Sequence, residues 1–310
     1  MYPGTIKQQL EDWRVCEISP ETWSGSGEHA YFYVRKQGMN TADLVRAAAM
    51  AFDVPRIDVG YAGRKDKQGI TEQWLSVRTP CNAWPAIAHT ECLAQTRHSK
   101  KLKIGHLRGN RFAIVLRDTR LTAEQVLARG KVGFANAFGP QRLSGDNVAQ
   151  AEAWIAQRER VVDRRRQGKR RGAGKRQRGN DQQGWHLSVL RSYLFNAVLE
   201  KRLELNPGGP VRVIEGDVLL AGFPTAPLWG RGRSASAALA LQIEAEVLAP
   251  HRQLCDALEH AGVRQGRRAL WCKPGNLEVA EIAADTLKLE FFLPPGSYAT
   301  AWLMSLQACP

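Results

Sequence analysis

Polar and apolar residues alternate from Asp12 to Ile18, and the stretch HAYFYVR (29–35) is aromatic and extended in character, so both predict β-strands. NTADLVRAAAMAFDV (40–54) switches to helical spacing, with Asn40 as N-cap and Asp43 three residues on. From Ile57 to Val77 the pattern is strand, loop, strand: IDVGYAG, RKDKQG, ITEQWLSV. CLAQTRHSK and NRFAIVLRD predict two more strands, and TAEQVLARG opens on a capping box, Thr122 to Gln125.

Past the glycine-punctuated FANAFGPQRLSGDN (134–147), the spacing becomes helical over Asn147–Arg160. LSVLRSYLFNAVLEKRLEL (187–205) predicts an amphipathic helix, NPGGP (206–210) a turn, and 236–260 one long helix. The C-terminal part predicts a strand ending at Pro294 and then a short helix. Strands therefore dominate before about residue 145 and after about 275, with helices between, the pattern of one domain inserted into another. The expected architecture is mixed α/β: a domain of 1–144 plus 275–310, interrupted by a more helical domain of 145–274.

Charge changes the picture. The 310 residues carry 44 Lys or Arg against 30 acids, a formal +14, which favours a polyanionic partner, nucleic acid before an anionic membrane surface. Arg158–Arg178 alone holds 11 Lys or Arg and 2 acids, leaving +5 for the rest of the chain. It has almost no apolar anchor after Val162 and reads as a mobile basic loop. Its GKRRGAGKR resembles a phosphate loop only in its glycines: the GxxxxGK[ST] order is missing, which excludes a P-loop nucleotide triphosphatase. Six cysteines and seven histidines form no CxxC, HxxxH or HExxH, so neither a metal site nor a disulfide framework is expected. The first ten residues have no signal-peptide core and no run reaches about 18 apolar residues, so a soluble intracellular protein is expected.

In GYAGRKDKQGITEQW, glycines bound a lone carboxylate, Asp66, between Lys65 and Lys67. Adjacent cations keep a carboxylate ionised, which suits a nucleophile better than a general acid, although spacing alone favours a solvated, mixed-charge turn. RHSKKLKIGHLRGNRF (97–112) is a basic hairpin whose Lys100, Lys101, Lys103 and Arg108 suit phosphates, while Asn110 offers an amide to a base edge and Phe112 a ring. The alternation of Phe112 with Ile114 and Leu116 favours a core position for that ring. Trp13 and Tyr298 are similar cases, more often core or rim than ligand. A metal-dependent nuclease needs clustered carboxylates, and the lone Asp66 among lysines is a poor start.

GYAGRKDKQGITEQWLSV, RHSKKLKIGHLRGNRF, NAFGPQRLSGDN, RSYLFN and LPPGSYATA occur in the order and rough spacing of the TruD family of tRNA pseudouridine synthases, which the chain resembles over nearly its whole length. The resemblance implies a pseudouridine-synthase catalytic domain with a largely antiparallel sheet and an inserted TRUD-type domain. It implies isomerisation of a tRNA uridine, position 13 of the D-stem in bacterial members, without cofactor or metal, by a cytoplasmic protein for which a monomer is favoured. The family's nucleophile falls on Asp66, and its substrate contacts on Trp13, Asn110, Phe112 and Tyr298, with Lys65 beside the nucleophile. Trp13 and Tyr298 stand where the family usually has Phe, and both keep a flat π-face. The N-terminus and the tail after Leu303 are shorter than expected, and the Arg158–Arg178 loop is longer and more basic. Its Arg164, Arg165, Arg166, Lys169, Arg170 and Arg171 join the hairpin as expected RNA-backbone contacts. The rival reading is a catalytically silent tRNA-binding protein or chaperone on the same fold.

Overall fold

The computed structural model describes residues 2–19, 23–140, 142–166 and 180–308, with the backbone alone for 158–166, 180–182 and 308. Two compact units result: Met1–Val132 with Lys273–Ala299 and Leu303–Pro310, and Gly133–Cys272 with Thr300–Trp302. The structural breaks at 132/133 and 272/273 stand beside the sequence breaks at 144/145 and 274/275; residues 133–144 pack with the second unit.

The first unit is built on an eight-stranded sheet. In chain order the strands are β1 (Trp13–Ile18), β2 (His29–Gln37), β3 (Val59–Tyr61), β4 (Ile70–Arg78), β5 (Thr90–His98) and β6 (Gly109–Leu116). After the second unit's β7 (Phe134–Ala135), β8 (Leu219–Leu220), β9 (Phe223–Leu228), β10 (Gly266–Ala269) and β11 (Trp271–Cys272) come β12 (Gly275–Ala283) and β13 (Thr286–Leu293). The order across the sheet is β12-β13-β6-β1-β4-β2-β5, with β3 also on β4. Every pairing is antiparallel except β1 with β4.

The alternation read from the sequence fixes which face is buried. Ala30, Phe32 and Val34 of β2 and Leu75 and Val77 of β4 pack on Leu44, Val45, Ala48 and Ala49 of helix α1 (Thr41–Ala51). Asn40 caps that helix, its side chain accepting the Asp43 amide at 2.9 Å, which satisfies one of the unpaired amides of the first turn. Further along the same face, register places Trp13, Val15 and Glu17 beside Ile114, Phe112 and Asn110, and these beside Leu289, Phe291 and Leu293. Arg117 ties the end of β6 to the start of β1 through a two-pronged bond to Asp12 at 2.8 and 3.0 Å. That bond, more than any other influence, holds the Asp12 carboxyl below its usual range. The capping box at Thr122 and Gln125 forms in both directions and starts α2 (Ala123–Val132).

The second unit carries α3 (Gly145–Arg166), α4 (Asn180–Glu204), α5 (Ala238–Leu248) and α6 (Arg252–His260). The single helix expected over 236–260 is two helices, because Pro250 lacks an amide proton and a 3₁₀ turn, Ala249–His251, replaces the helical ladder there. Beside its helices this unit holds a three-stranded sheet, β10-β9-β8, and the β7/β11 pair, short strands that the sequence pattern did not show. Of the basic loop expected over 158–178, the first part continues α3 as helix through Arg166, and residues 167–179 lie outside the described residues. A fully buried ion pair, Arg202 with Asp217, is made two-pronged at 2.8 Å. The short helix after Pro294 is α7 (Ala299–Ser305). Among the described residues no helix is long and apolar enough to cross a membrane.

Candidate active site around Asp66

The loop from β3 to β4 is held at four points. The Lys65 amide donates to Thr41 Oγ1 at 2.8 Å, and the Thr41 hydroxyl in turn donates to Gln73 Oε1 at 2.9 Å. The Lys65 ammonium meets Glu17 Oε2 at 2.6 Å, a pair with side chains only 3% and 1% exposed. Lys36 Nζ donates to the Asp66 carbonyl at 2.8 Å and to the Met39 carbonyl. Gly69 closes the loop at φ +139, where a Cβ would lie 2.4 Å from the Trp13 carbonyl oxygen, so only glycine fits.

The clamped loop thus presents one carboxylate, the Asp66 side chain, 50% exposed, among the exposed Arg64, Lys67 and Gln68. Its carboxylate meets neither sequence neighbour. Oδ2 pairs instead with Lys7 Nζ at 2.9 Å, and the same ammonium lies 4.2 Å from the centre of the Trp13 ring. Lys7 reaches this position from a left-handed backbone, φ 58. Burial first, and then the Asp66 charge, push the nearby Tyr2 phenol up.

The other expected residues fall on or beside the same sheet face, with some changes of role. Trp13 is 2% exposed and has the Lys7 ammonium against one face of its ring, so it does not offer an open stacking surface. Phe112, 7% exposed, lies parallel to Phe291 at 5.3 Å and edge-on to Trp13 at 6.4 Å. Its alternation with Ile114 and Leu116 correctly marked it as core. Lys65 points inward onto Glu17 and is not available to a substrate. Asn110 is half-buried at the start of β6, and Tyr298 is half-buried at the N-cap of α7.

Buried polar atoms without a protein partner gather on this face: Trp13 Nε1, Thr71 Oγ1, Gln73 Nε2 and Asn110 Oδ1. Strand pairing sets Val15 beside Thr71 and Glu17 beside Asn110, so donors and an acceptor lie on neighbouring strands. Such groups cost free energy unless something polar meets them.

The basic hairpin abuts the site loop. The Gly105 amide donates to the Ala62 carbonyl at 2.8 Å and the Leu102 amide to Ser76 Oγ at 2.9 Å. Lys100, Lys103 and Arg108 are exposed, whereas Lys101 turns its ammonium to the Ile57 carbonyl. The side chains of Arg164, Arg165 and Arg166, and all of Lys169, Arg170 and Arg171, lie outside the described residues. Among the described residues no three His, Cys, Asp or Glu side chains gather as a metal site.

Sequence reading missed Lys7, Glu17, Lys36 and Thr41. Lys36 did leave a signal, because it occupies the inward register of β2 after Phe32 and Val34, where a charge needs a specific partner.

Comparison with known proteins gives this geometry a setting. Across 98% of this chain and 96% of its own, the Methanosarcina mazei structure named for tRNA pseudouridine synthase D (TruD) superposes with a TM-score of 0.63 at 19% identity, which establishes the fold. Residues 2–147 match the family model for tRNA pseudouridine synthase D (TruD). A tRNA pseudouridine synthase D of Methylococcus capsulatus is 35% identical over 98% of this chain and 90% of its own length. One from Xanthomonas campestris is 37% identical over 98% and 91%. The fold is that of a pseudouridine synthase, an isomerase. Within that class, the chain belongs to the tRNA pseudouridine synthase D (TruD) family.

Proposed function

We propose that the chain isomerises a uridine of tRNA to pseudouridine, at position 13 of the D-stem, with Asp66 as nucleophile on a flipped-out nucleotide. The observation that carries this reading is the single half-exposed carboxylate on a loop clamped through its backbone and Lys65, paired with the Lys7 ammonium at 2.9 Å. A stem uridine is stacked and paired, so the enzyme must extrude it, at a cost of a few kcal/mol. The exposed Lys100, Lys103 and Arg108, with the cations of 164–171, meet phosphates and supply binding without reading sequence.

In the reaction the N1–C1′ bond breaks, the uracil turns, and a C5–C1′ bond forms. C5 loses a proton and N1 gains one, so atoms and electrons balance within the nucleoside. As nucleophile, Asp66 bonds to C1′ as the N1–C1′ bond breaks, and that ester bond breaks in turn when C5 of the turned uracil bonds to C1′, returning the carboxylate to its pairing with the Lys7 ammonium. Asn110 Oδ1, an acceptor without a protein partner, suits the uracil N3–H. Trp13 and Phe112 form the wall of the pocket, and Tyr298 is the ring that stacks on the base. The protein works in the cytoplasm, where its tRNA substrate is found.

The test is to incubate the purified protein with unmodified tRNA transcripts and map pseudouridine by mass spectrometry. Modification at D-stem position 13 is expected. Tight tRNA binding with no pseudouridine would instead make the protein a silent tRNA binder.

A further inference from the structure

We propose that Lys36 is a positioning residue for Asp66: its buried ammonium fixes the Asp66 carbonyl and adds a second positive charge at that residue beside the charge of Lys7. The inference rests on the reading of Asp66 as nucleophile.

Lys36 is 0% exposed, and its two contacts are carbonyl oxygens, those of Met39 and Asp66. Neither contact carries a full negative charge, so its burial is costly by any ordinary accounting. Two carbonyls on a turn are capped as well by a neutral donor such as Asn or Ser. An ammonium in this place is explained by the one carboxylate that favours its charged form. Burial pulls the Lys36 pKa down to about 8, the Asp66 charge opposes that fall, and Lys65 reinforces it.

Interaction of this kind is mutual: if the Asp66 charge acts on Lys36, the Lys36 ammonium acts equally on charge that develops at Asp66. The groups that bear on Lys36 are few. Asp66 and Lys65 face it from the β3–β4 loop, with Lys7 beyond Asp66 and Glu17 beyond Lys65. Its strand neighbours Thr71 and Thr90, and Thr41 at the start of α1, carry no charge. Glu17 is engaged by Lys65, which leaves Asp66 as the anion coupled to Lys36. Lys36 therefore does for the loop's backbone what Lys7 does for its carboxylate, and it does so from a fully buried position in the inward register of β2.

The experiment measures single-turnover pseudouridine formation at saturating tRNA from about pH 6 to 10, with wild type, Lys36→Met, Lys36→Arg and Asp66→Asn, alongside tRNA Kd. The wild-type rate should fall above about pH 8 as Lys36 loses its proton. Lys36→Met should lower the rate at neutral pH by about tenfold or more, equivalent to about 1.4 kcal/mol, with Kd within threefold and the alkaline fall abolished. Lys36→Arg, which keeps its charge throughout, should recover most of the rate and also lose that fall. A wild-type profile flat through pH 8–9 overturns the inference, and so does a Lys36→Met enzyme of full rate or with the same alkaline fall. The wild-type profile needs no variant to fold. If Asp66→Asn is active the proposed function itself fails; if Asp66→Asn is dead and Lys36→Met is fully active, only this inference does.

Discussion

Replacing Phe112 with Ala should damage the fold before it damages the chemistry. The ring is 7% exposed, lies parallel to Phe291 and edge-on to Trp13, and belongs to the strand between β1 and β13. Removing a buried Phe side chain costs about 3–5 kcal/mol, the lost transfer of apolar surface plus the cavity left behind. The aromatic contacts account for about 0.5–1.5 kcal/mol of that. We take about 3–4 kcal/mol, since the sheet register on both sides limits collapse into the void; that range is roughly a 10²–10³-fold loss of protection against opening. Native-state hydrogen exchange read by mass spectrometry separates the two units. Peptides covering β6 and β13 should lose protection by that factor, whereas peptides of β9 and β10 should not change. Phe112→Leu, which keeps most of the volume, should cost less than about 1.5 kcal/mol, and its turnover then reports whether the ring edge meets the base. A loss below about 1 kcal/mol in Phe112→Ala would show that the core packing has been misjudged.

Three further outcomes follow from the geometry. Lys7→Met should slow single-turnover chemistry by about tenfold or more with little change in melting temperature, because exposed ion pairs contribute only about 0–1 kcal/mol to stability; an unchanged rate would remove Lys7 from the site. Asp12, whose carboxyl is held low by Arg117, stabilises the fold above the unfolded carboxylate value of about 3.9 and loses that contribution as pH falls through its folded pKa. Asp12→Asn should therefore cost stability at pH 7 and little near pH 2, as urea midpoints across that range would report. Tyr298→Phe should be nearly neutral in turnover while Tyr298→Ala slows it strongly, since a base–ring stack is worth about 1–3 kcal/mol; equal rates in both would end the stacking role.

How much of this was legible in the sequence depends on the range of the interaction. The sheet strands and α1 were readable because each is set by local alternation or by a cap such as Asn40. The two-residue strands β7, β8 and β11 are too short to carry a period, and the break at Pro250 was hidden by apolar helical spacing on both sides of it. At the site, the Asp66 loop stood out by its glycines and lysines, yet the cation that meets the carboxylate is Lys7, 59 positions away. Sequence adjacency suggested Lys65, which the Thr41 bond to its amide and the Glu17 pair hold inward. For Phe112 the alternation was the better guide to its place in the packing. Lys36 was legible in principle, as a charge in the inward register of a strand, but its partners are two backbone carbonyls that no residue pattern announces.

The central claim is that Asp66 performs the chemistry, and the direct measurement is pseudouridine formation by Asp66→Asn under single-turnover conditions, with tRNA affinity measured in the same preparation. The substitution removes the nucleophile and its pairing with Lys7 but leaves the phosphate contacts in place. Pseudouridine should fall to the limit of detection while Kd stays within a few fold of wild type. Turnover near the wild-type rate would contradict the account.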